Sequence, residues 1–279
     1  MEMRRKIGEG SNAEVLEWGD NQVLKLAKPI IDNTDLEKEF HNHNIVWELG
    51  LPVPRPYEMI EYENRPGIVY ERIYGKTLRE RFFENLTPAI DLEPTTIDWN
   101  DARLSARLLG KVHNTVFHKK FPSTQREFLK KQIRSVDYLL EEEQIAVLEL
   151  LDHLPKKSNI CHGDANPNNI IFRNSGEPIL IDWMNGTNGN PEADVAEFIL
   201  MIRFSVLPPH TPKEAMNLFD TYRENIIQDF MKEYTQITGT TYDEIDSWIA
   251  PIAARKLSSD GIGEEEKQVL VKEIRRRLS

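Results

Sequence analysis

Ile160-Cys161-His162-Gly163-Asp164-Ala165-Asn166-Pro167-Asn168-Asn169-Ile170-Ile171-Phe172, followed closely by Ile179-Leu180-Ile181-Asp182-Trp183, is apolar at its ends and polar at its centre. Ile170, Ile171 and Phe172 are β-branched or aromatic and predict a short strand. Residues 173–178 have turn composition. Ile179, Leu180 and Ile181 predict the returning strand. Antiparallel pairing brings Asn169 and Asp182 to the open end of this hairpin, with Asp164 on the loop that feeds it. Two oxygen ligands and a nearby carboxylate make a hard-cation site with a candidate base beside it.

The pattern resembles the catalytic and metal-binding loops of the aminoglycoside phosphotransferase/choline kinase-like family, a branch of the protein-kinase-like fold. His162-Gly163-Asp164 stands where protein kinases carry His-Arg-Asp. Asn169 falls at the asparagine of their catalytic loop, and Ile181-Asp182-Trp183 stands where they carry Asp-Phe-Gly. Asp194 resembles the second acid of the family's Gly-Asp-Pro-x-x-Asp pattern, with Asn190 in place of the first. The resemblance implies an α+β, bilobal architecture: an N-terminal antiparallel sheet with one helix, then a mainly helical C-terminal lobe. It divides the chain into a nucleotide-binding lobe, 1–74, and a catalytic and acceptor-binding lobe, 75–279.

The implied chemistry is transfer of the γ-phosphoryl group of ATP or GTP, with Mg²⁺, to a hydroxyl of a small molecule such as an antibiotic, an amino alcohol or a sugar. Asp164 is then the base, Asn169 and Asp182 the metal ligands, and His162 and Asp194 supports. A non-catalytic nucleotide-binding protein of the same fold is the alternative. A protein kinase is disfavoured, because Gly163 replaces the arginine that reads a phosphorylated loop and no Ala-Pro-Glu segment follows.

Upstream, Gly8 and Gly10 of Ile7-Gly8-Glu9-Gly10-Ser11-Asn12-Ala13 permit a tight turn and close backbone approach to a phosphate. Ser11 would donate to that phosphate. Ala13 replaces a third glycine, and a plain β-turn is the other reading. Val15 to Trp18 and Gln22 to Leu26 predict a hairpin. Lys25 lies within its second strand, either facing solvent or serving as the strand lysine of the resembled family. Residues 32–50 predict a helix with Leu36, Phe40, His43, Trp47 and Leu49 on one face. On that helix Glu39, not Glu37, is assigned to pair with Lys25. His41 and His43 are wrongly spaced for two ligands on one face. Residues 57–62 and 67–73 predict a further strand pair. In the resemblance it leads to a hinge, with the Glu71 carbonyl and the Ile73 amide facing adenine and Tyr70 behind them. The other reading is an ordinary strand entering a turn.

From Lys76 onward helices dominate. They are expected at 76–85, over 96–113 ending in a packed His113, twice within 123–154 with a break near Leu140, from Pro191, and through 211–278. Residues 184–191 are expected to be a long flexible loop. Acids at Asp91, Glu93, Asp98, Asp101 and Glu264 to Glu266 either line an acceptor cleft or are solvated faces.

Composition sets the outer bounds. The chain has 279 residues, 39% hydrophobic and 29% charged, as expected of a folded globular protein. No apolar run approaches bilayer length, and no apolar segment follows the basic Met1 to Lys6. A cytoplasmic protein without membrane partners is therefore expected. The lone Cys161 excludes a disulfide framework and reads as a small buried residue. A net charge of -11 lacks the basic footprint of a nucleic-acid binder.

Overall fold

The computed structural model describes residues 4–10, 12–29, 33–86, 98–116, 121–207 and 211–279. The N-terminal part comprises β1 (Lys6–Glu9), β2 (Ala13–Trp18), β3 (Gln22–Ala27), α1 (Asn33–Glu48), β4 (Pro56–Tyr62) and β5 (Arg65–Glu71). The five strands form one antiparallel sheet in the order β1-β2-β3-β5-β4. Between β4 and β5, Glu63 and Asn64 both take positive φ, which matches a two-residue turn to the twist of its strands.

Alternation along the strands sorts the two faces of the sheet. Leu16, Leu24, Leu26 and Val69 pack on one face. Ala27, Ile68 and Tyr70 pack on the other, against Leu36 of α1. Lys25 lies between Leu24 and Leu26 and opposite Ile68, so it projects towards α1 and not into solvent.

The buried stripe of α1 differs from the one expected. It runs through Leu36, Glu39, Asn42, His43 and Val46, while Trp47 is exposed. Three of these five positions are polar, so hydrophobic periodicity cannot find the inward face. Each of the three has a partner inside for at least one of its polar atoms.

The remainder comprises β6 (Gly75–Thr77), α2 (Leu78–Leu86), α3 (Asn100–His113), α4 (Gln125–Arg134), α5 (Glu141–His153), β7 (Asn159–Cys161), β8 (Ile170–Arg173), β9 (Pro178–Leu180), a 3₁₀ turn (Trp183–Asn185), β10 (Thr187–Gly189), α6 (Pro191–Arg203), α7 (Lys213–Thr238), α8 (Tyr242–Asp246), α9 (Ile249–Lys256) and α10 (Glu264–Leu278). The hairpin is β8–β9, with Ile170 opposite Leu180. The helix expected from Lys76 begins instead at Leu78, because Gly75, Lys76 and Thr77 pair with β8. Gly75 is pressed so close to the Phe172 carbonyl that a Cβ would overlap it. Thr77 then starts α2, exchanging hydrogen bonds with Glu80 as a capping box does.

Residues 184–191 are not a free loop. Thr187, Asn188 and Gly189 pair with Cys161, Ile160 and Asn159. Asn188 Oδ1 accepts from the Phe121 amide at 2.9 Å, and Gln125 exchanges hydrogen bonds with the Asn190 backbone. Cys161 is fully buried, which pushes its thiol pKa up, as suits a packing residue. The main core gathers Phe172, Trp183, Phe198, Phe230, Tyr234 and Trp248 between the helices. Among the described residues, no helix is long and apolar enough to cross a membrane.

His43 turns one of the buried polar positions of α1 into a pH-dependent contribution. Its Nε2 lies 2.7 Å from the Pro54 carbonyl, so Nε2 carries the proton, and Nδ1 is buried without a partner. Protonating Nδ1 would bury an unpaired N–H and a charge, and burial lowers the pKa to about 4. The unfolded chain takes up this proton near 6.5, the folded one only near 4. Stability is therefore present above pH 6.5 and is lost as the pH falls towards 4, by up to about 3 kcal/mol. Urea titrations of the wild type and His43→Gln across this range should show a steeper acid-side loss in the wild type. Parallel curves would refute the assignment.

Candidate active site

β7 delivers the chain into His162-Gly163-Asp164. Gly163 takes φ +76°, and its α-carbon packs so tightly on Asn185 that a Cβ would overlap the Asn185 carbonyl oxygen. No arginine fits at this position, which gives the Gly163 departure from protein kinases a steric reason. Asp194, in the first turns of α6, holds the segment. Its Oδ2 accepts from the His162 amide at 2.5 Å and its Oδ1 from the Gly163 amide at 2.9 Å. His113 Nε2 lies 3.2 Å from the same carboxylate, and His113 Nδ1 2.7 Å from the Tyr234 hydroxyl. Burial would raise the Asp194 pKa, but His113 and the donors from His162 hold it below the usual carboxylate range. His162 Nε2 donates to the Ile181 carbonyl at 2.8 Å, which leaves Nδ1 to accept from the Asp164 amide at 3.2 Å. Its ring meets Trp183 edge-on. His162 and Asp194 are thus placed as braces.

Asp164 emerges from this braced loop with both carboxylate oxygens engaged. Oδ2 accepts from Asn169 Nδ2 at 2.9 Å, and Oδ1 from Lys256 Nζ at 3.1 Å. Arg255 lies 3.9 Å from Oδ1 and also donates to the Gly163 carbonyl. Lys256 and Arg255 in turn pair with the buried Glu197. Burial alone would raise the Asp164 pKa, but the Lys256 and Arg255 charges outweigh it and hold the group well below its usual value. The opposite balance applies at Glu197, which burial pushes up to about 7. The sequence predicts only that 211–278 is helical, which leaves the role of Arg255 and Lys256 unseen. A signal exists: α9 is apolar nearly all round, so it must be buried, and cations at its end must find partners.

On the other side of the hairpin, Lys25 Nζ donates to both Glu39 oxygens at 2.8 Å and lies 3.0 Å from Asp182 Oδ1. The Tyr70 hydroxyl donates to Glu39 at 3.1 Å. Burial opposes the charge on Lys25, but Asp182 and Glu39 more than offset it and raise its pKa. Asp182 takes φ +65°, a left-handed conformation that costs a non-glycine residue about 1 kcal/mol or more. Neighbours impose it. The Ile181 amide donates to the Asn169 carbonyl at 2.9 Å, and Asn42 of α1 donates to the Trp183 carbonyl at 3.0 Å. Asn169 spends its amide N–H groups on Asp164, which turns its side-chain oxygen away from that residue. That oxygen and the half-exposed Asp182 carboxylate are the hard donors a magnesium ion takes, so the residues fit the expected metal.

The other expected residues lie apart from these contacts. Gly8 sits in β1, and the Gly10 amide closes the β1–β2 turn on the Ala13 carbonyl at 2.8 Å. Neither glycine takes positive φ. Ser11 lies outside the described residues, as do Asp91 and Glu93. Glu71 ends β5, with its carboxylate on Arg173 at 2.9 Å and on the Arg55 amide at 3.1 Å. Ile73 lies in the 72–74 link to β6.

A family model described as "Phosphotransferase enzyme family" matches residues 5–234. No curated protein matches the sequence. Several solved structures share the fold. An amicoumacin kinase in complex with AMP-PNP, Ca²⁺ and Ami superposes with a TM-score of 0.68 at 14% identity, over 98% of this chain and 88% of that one. A choline kinase from Streptococcus pneumoniae gives 0.64 at 17%, over 98% and 93%. A thermostable aminoglycoside phosphotransferase mutant, in a ternary complex with ADP and hygromycin B, gives 0.63 at 16%, over 99% and 93%. The architecture is therefore the protein-kinase-like one.

Asp194→Asn tests the brace. The amide would set a donor against backbone N–H groups or against His113. Losing a charged acceptor shared by three buried donors should destabilise the protein by about 3 kcal/mol in urea unfolding. A change within about 0.5 kcal/mol, the range of an ordinary surface substitution, would remove Asp194 from that role.

Proposed function

Because the chain belongs to the phosphotransferase enzyme family, we propose that it is a kinase that moves the γ-phosphoryl group of ATP, or of GTP, to a hydroxyl of a small molecule. The observation that carries this reading is the contact of Lys25 with both Glu39 and Asp182. It joins a sheet lysine, a helix acid and the hairpin acid into one anion-binding corner beside Asn169 and Asp164. In this reading residues 1–74 grip the nucleotide, and residues 75–279 supply Asp164 and the acceptor cleft.

Phosphoryl transfer asks little covalent chemistry of a protein; it needs placement and charge neutralisation. Lys25, held upright by Glu39, would take the α- and β-phosphates. The turn at Gly8 and Gly10 would cover the phosphates with backbone amides, and Glu71 and Ile73 would meet the base. Mg²⁺, held by Asn169 and Asp182, would supply the remaining charge neutralisation when bound. Asp164 would accept a hydrogen bond from the acceptor hydroxyl and orient its oxygen for in-line attack. Its depressed pKa makes it a weak base in the ground state. That suffices where the hydroxyl proton becomes acidic only as its oxygen bonds to phosphorus.

Asp164→Asn should lower kcat by about a hundredfold or more, with Mg·ATP affinity little changed. Normal turnover in a coupled ADP-release assay would sink the assigned base. Asp182→Ala should lose the Mg²⁺-dependent part of the thermal stabilisation by ATP. If that increment survives, Asp182 is not a metal ligand.

A further inference from the structure

A metal ligand must hold its carboxylate at one angle, and the backbone of Asp182 works against this. It takes φ +65°, a region that favours glycine, and its side chain is half-exposed, so packing alone does not fix it. Its charged neighbour Lys25, 3.0 Å from Oδ1, is a group that nucleotide phosphates would share. The chain on either side must therefore set the conformation.

Before Asp182, the Ile181 amide donates to the Asn169 carbonyl and the Ile181 carbonyl accepts from His162 Nε2. After it, the Gly186 amide closes the 3₁₀ turn on the Trp183 carbonyl at 3.0 Å. A second donor to that carbonyl comes from outside the segment: Asn42 Nδ2 of α1, also at 3.0 Å. The same amide group lies 3.4 Å from the Met184 and Gly186 carbonyls, two weaker contacts. One side chain thus gathers three carbonyls of the turn that follows Asp182.

Asn42 is entirely buried, and among the described residues its Oδ1 has no hydrogen-bond partner. An orphaned buried acceptor costs free energy that an apolar side chain of similar volume would not. Reversing the amide gives no relief, because it would set Oδ1 against carbonyl oxygens. The position is therefore occupied by a donor, not by core filling. It also lies three residues after Glu39, on the same buried face of α1. That face carries both the acid that holds Lys25 and the amide that holds the turn after Asp182.

We propose that Asn42 is a positioning residue for the metal site. It acts through Asp182, by holding the turn that keeps that residue in its left-handed conformation. The proposal rests on the reading of Asp182 as a Mg²⁺ ligand.

Calorimetric titration of AMP-PNP, once with saturating Mg²⁺ and once in EDTA, gives the factor by which the metal tightens the nucleotide. Asn42→Ala should lower that factor about tenfold, towards its value in Asp182→Ala, as loss of a group that orients a metal ligand does. Affinity in EDTA, which reads Lys25, should stay within about twofold. Asn42→Leu fills the same space and removes the orphaned oxygen, so it should fold stably and still lose the factor. In the Asp182→Ala background, Asn42→Ala should have no further effect on it. A wild-type factor in Asn42→Leu, equal weakening with and without metal, or a further loss in the Asp182→Ala background would each overturn the proposal. If the wild type shows no such factor, the metal reading falls and the proposal with it. If Asp182→Ala loses the factor and the Asn42 variants keep it, the metal reading stands and the proposal alone fails.

Discussion

The Asp194 carboxylate is buried almost completely, yet it accepts from two successive backbone amides, His162 and Gly163, and from the His113 ring. Everything downstream inherits its geometry. Two adjacent N–H groups can converge on one carboxylate only where the chain turns sharply, and Gly163 supplies that turn in the left-handed region. The turn presses Gly163 onto Asn185, so the loop carrying Asp164 and the segment after Asp182 become one packed unit. His162 closes the same unit from below by donating to the Ile181 carbonyl. The contacts that shape this loop lie within the chain.

Two buried charge clusters flank the hairpin. One joins Lys25, Glu39 and Asp182; the other joins Asp164, Glu197, Arg255 and Lys256. Desolvating such groups costs several kcal/mol per ion, so neither cluster is an efficient way to stabilise a fold. Their value lies in placement. Glu39 holds the Lys25 ammonium against Asp182, where the phosphates of a nucleotide would lie in the proposed function. Lys256 and Asn169 each claim one Asp164 oxygen, which fixes the plane of that carboxylate.

Much of this was legible in the sequence because it is local. The hairpin, Asn169 and Asp182 at its open end, the β2–β3 turn and Lys25 all follow from strand alternation and turn residues within a few positions of each other. Glu39 was legible for a different reason: only one acid on α1 shares the face of His43. What escaped is non-local or polar. Lys256 meets Asp164 across 92 residues, with no spacing rule to announce it. Asn42 caps the carbonyls after Asp182 from a helix whose inward face is half polar, so a search for apolar periodicity chose Trp47 instead. The β6 strand was lost because Lys76 and Thr77 carry little strand signal, and only the close fit of Gly75 on Phe172 reveals the pairing.

The pinned segment after Trp183 changes where specificity can reside. A free loop there could fold over many acceptors. Here Asn42 holds its start, β7 pairs with its middle, and Gln125 fixes the Asn190 backbone at its end. In the proposed function, that fixed wall leaves an acceptor to be read by side chains elsewhere around Asp164. The cations at the end of α9 cannot relax away, since Glu197 holds both and is itself buried. Their charge is balanced by Asp164 and Glu197, so what they fix is the position of the Asp164 carboxylate, not a net positive field.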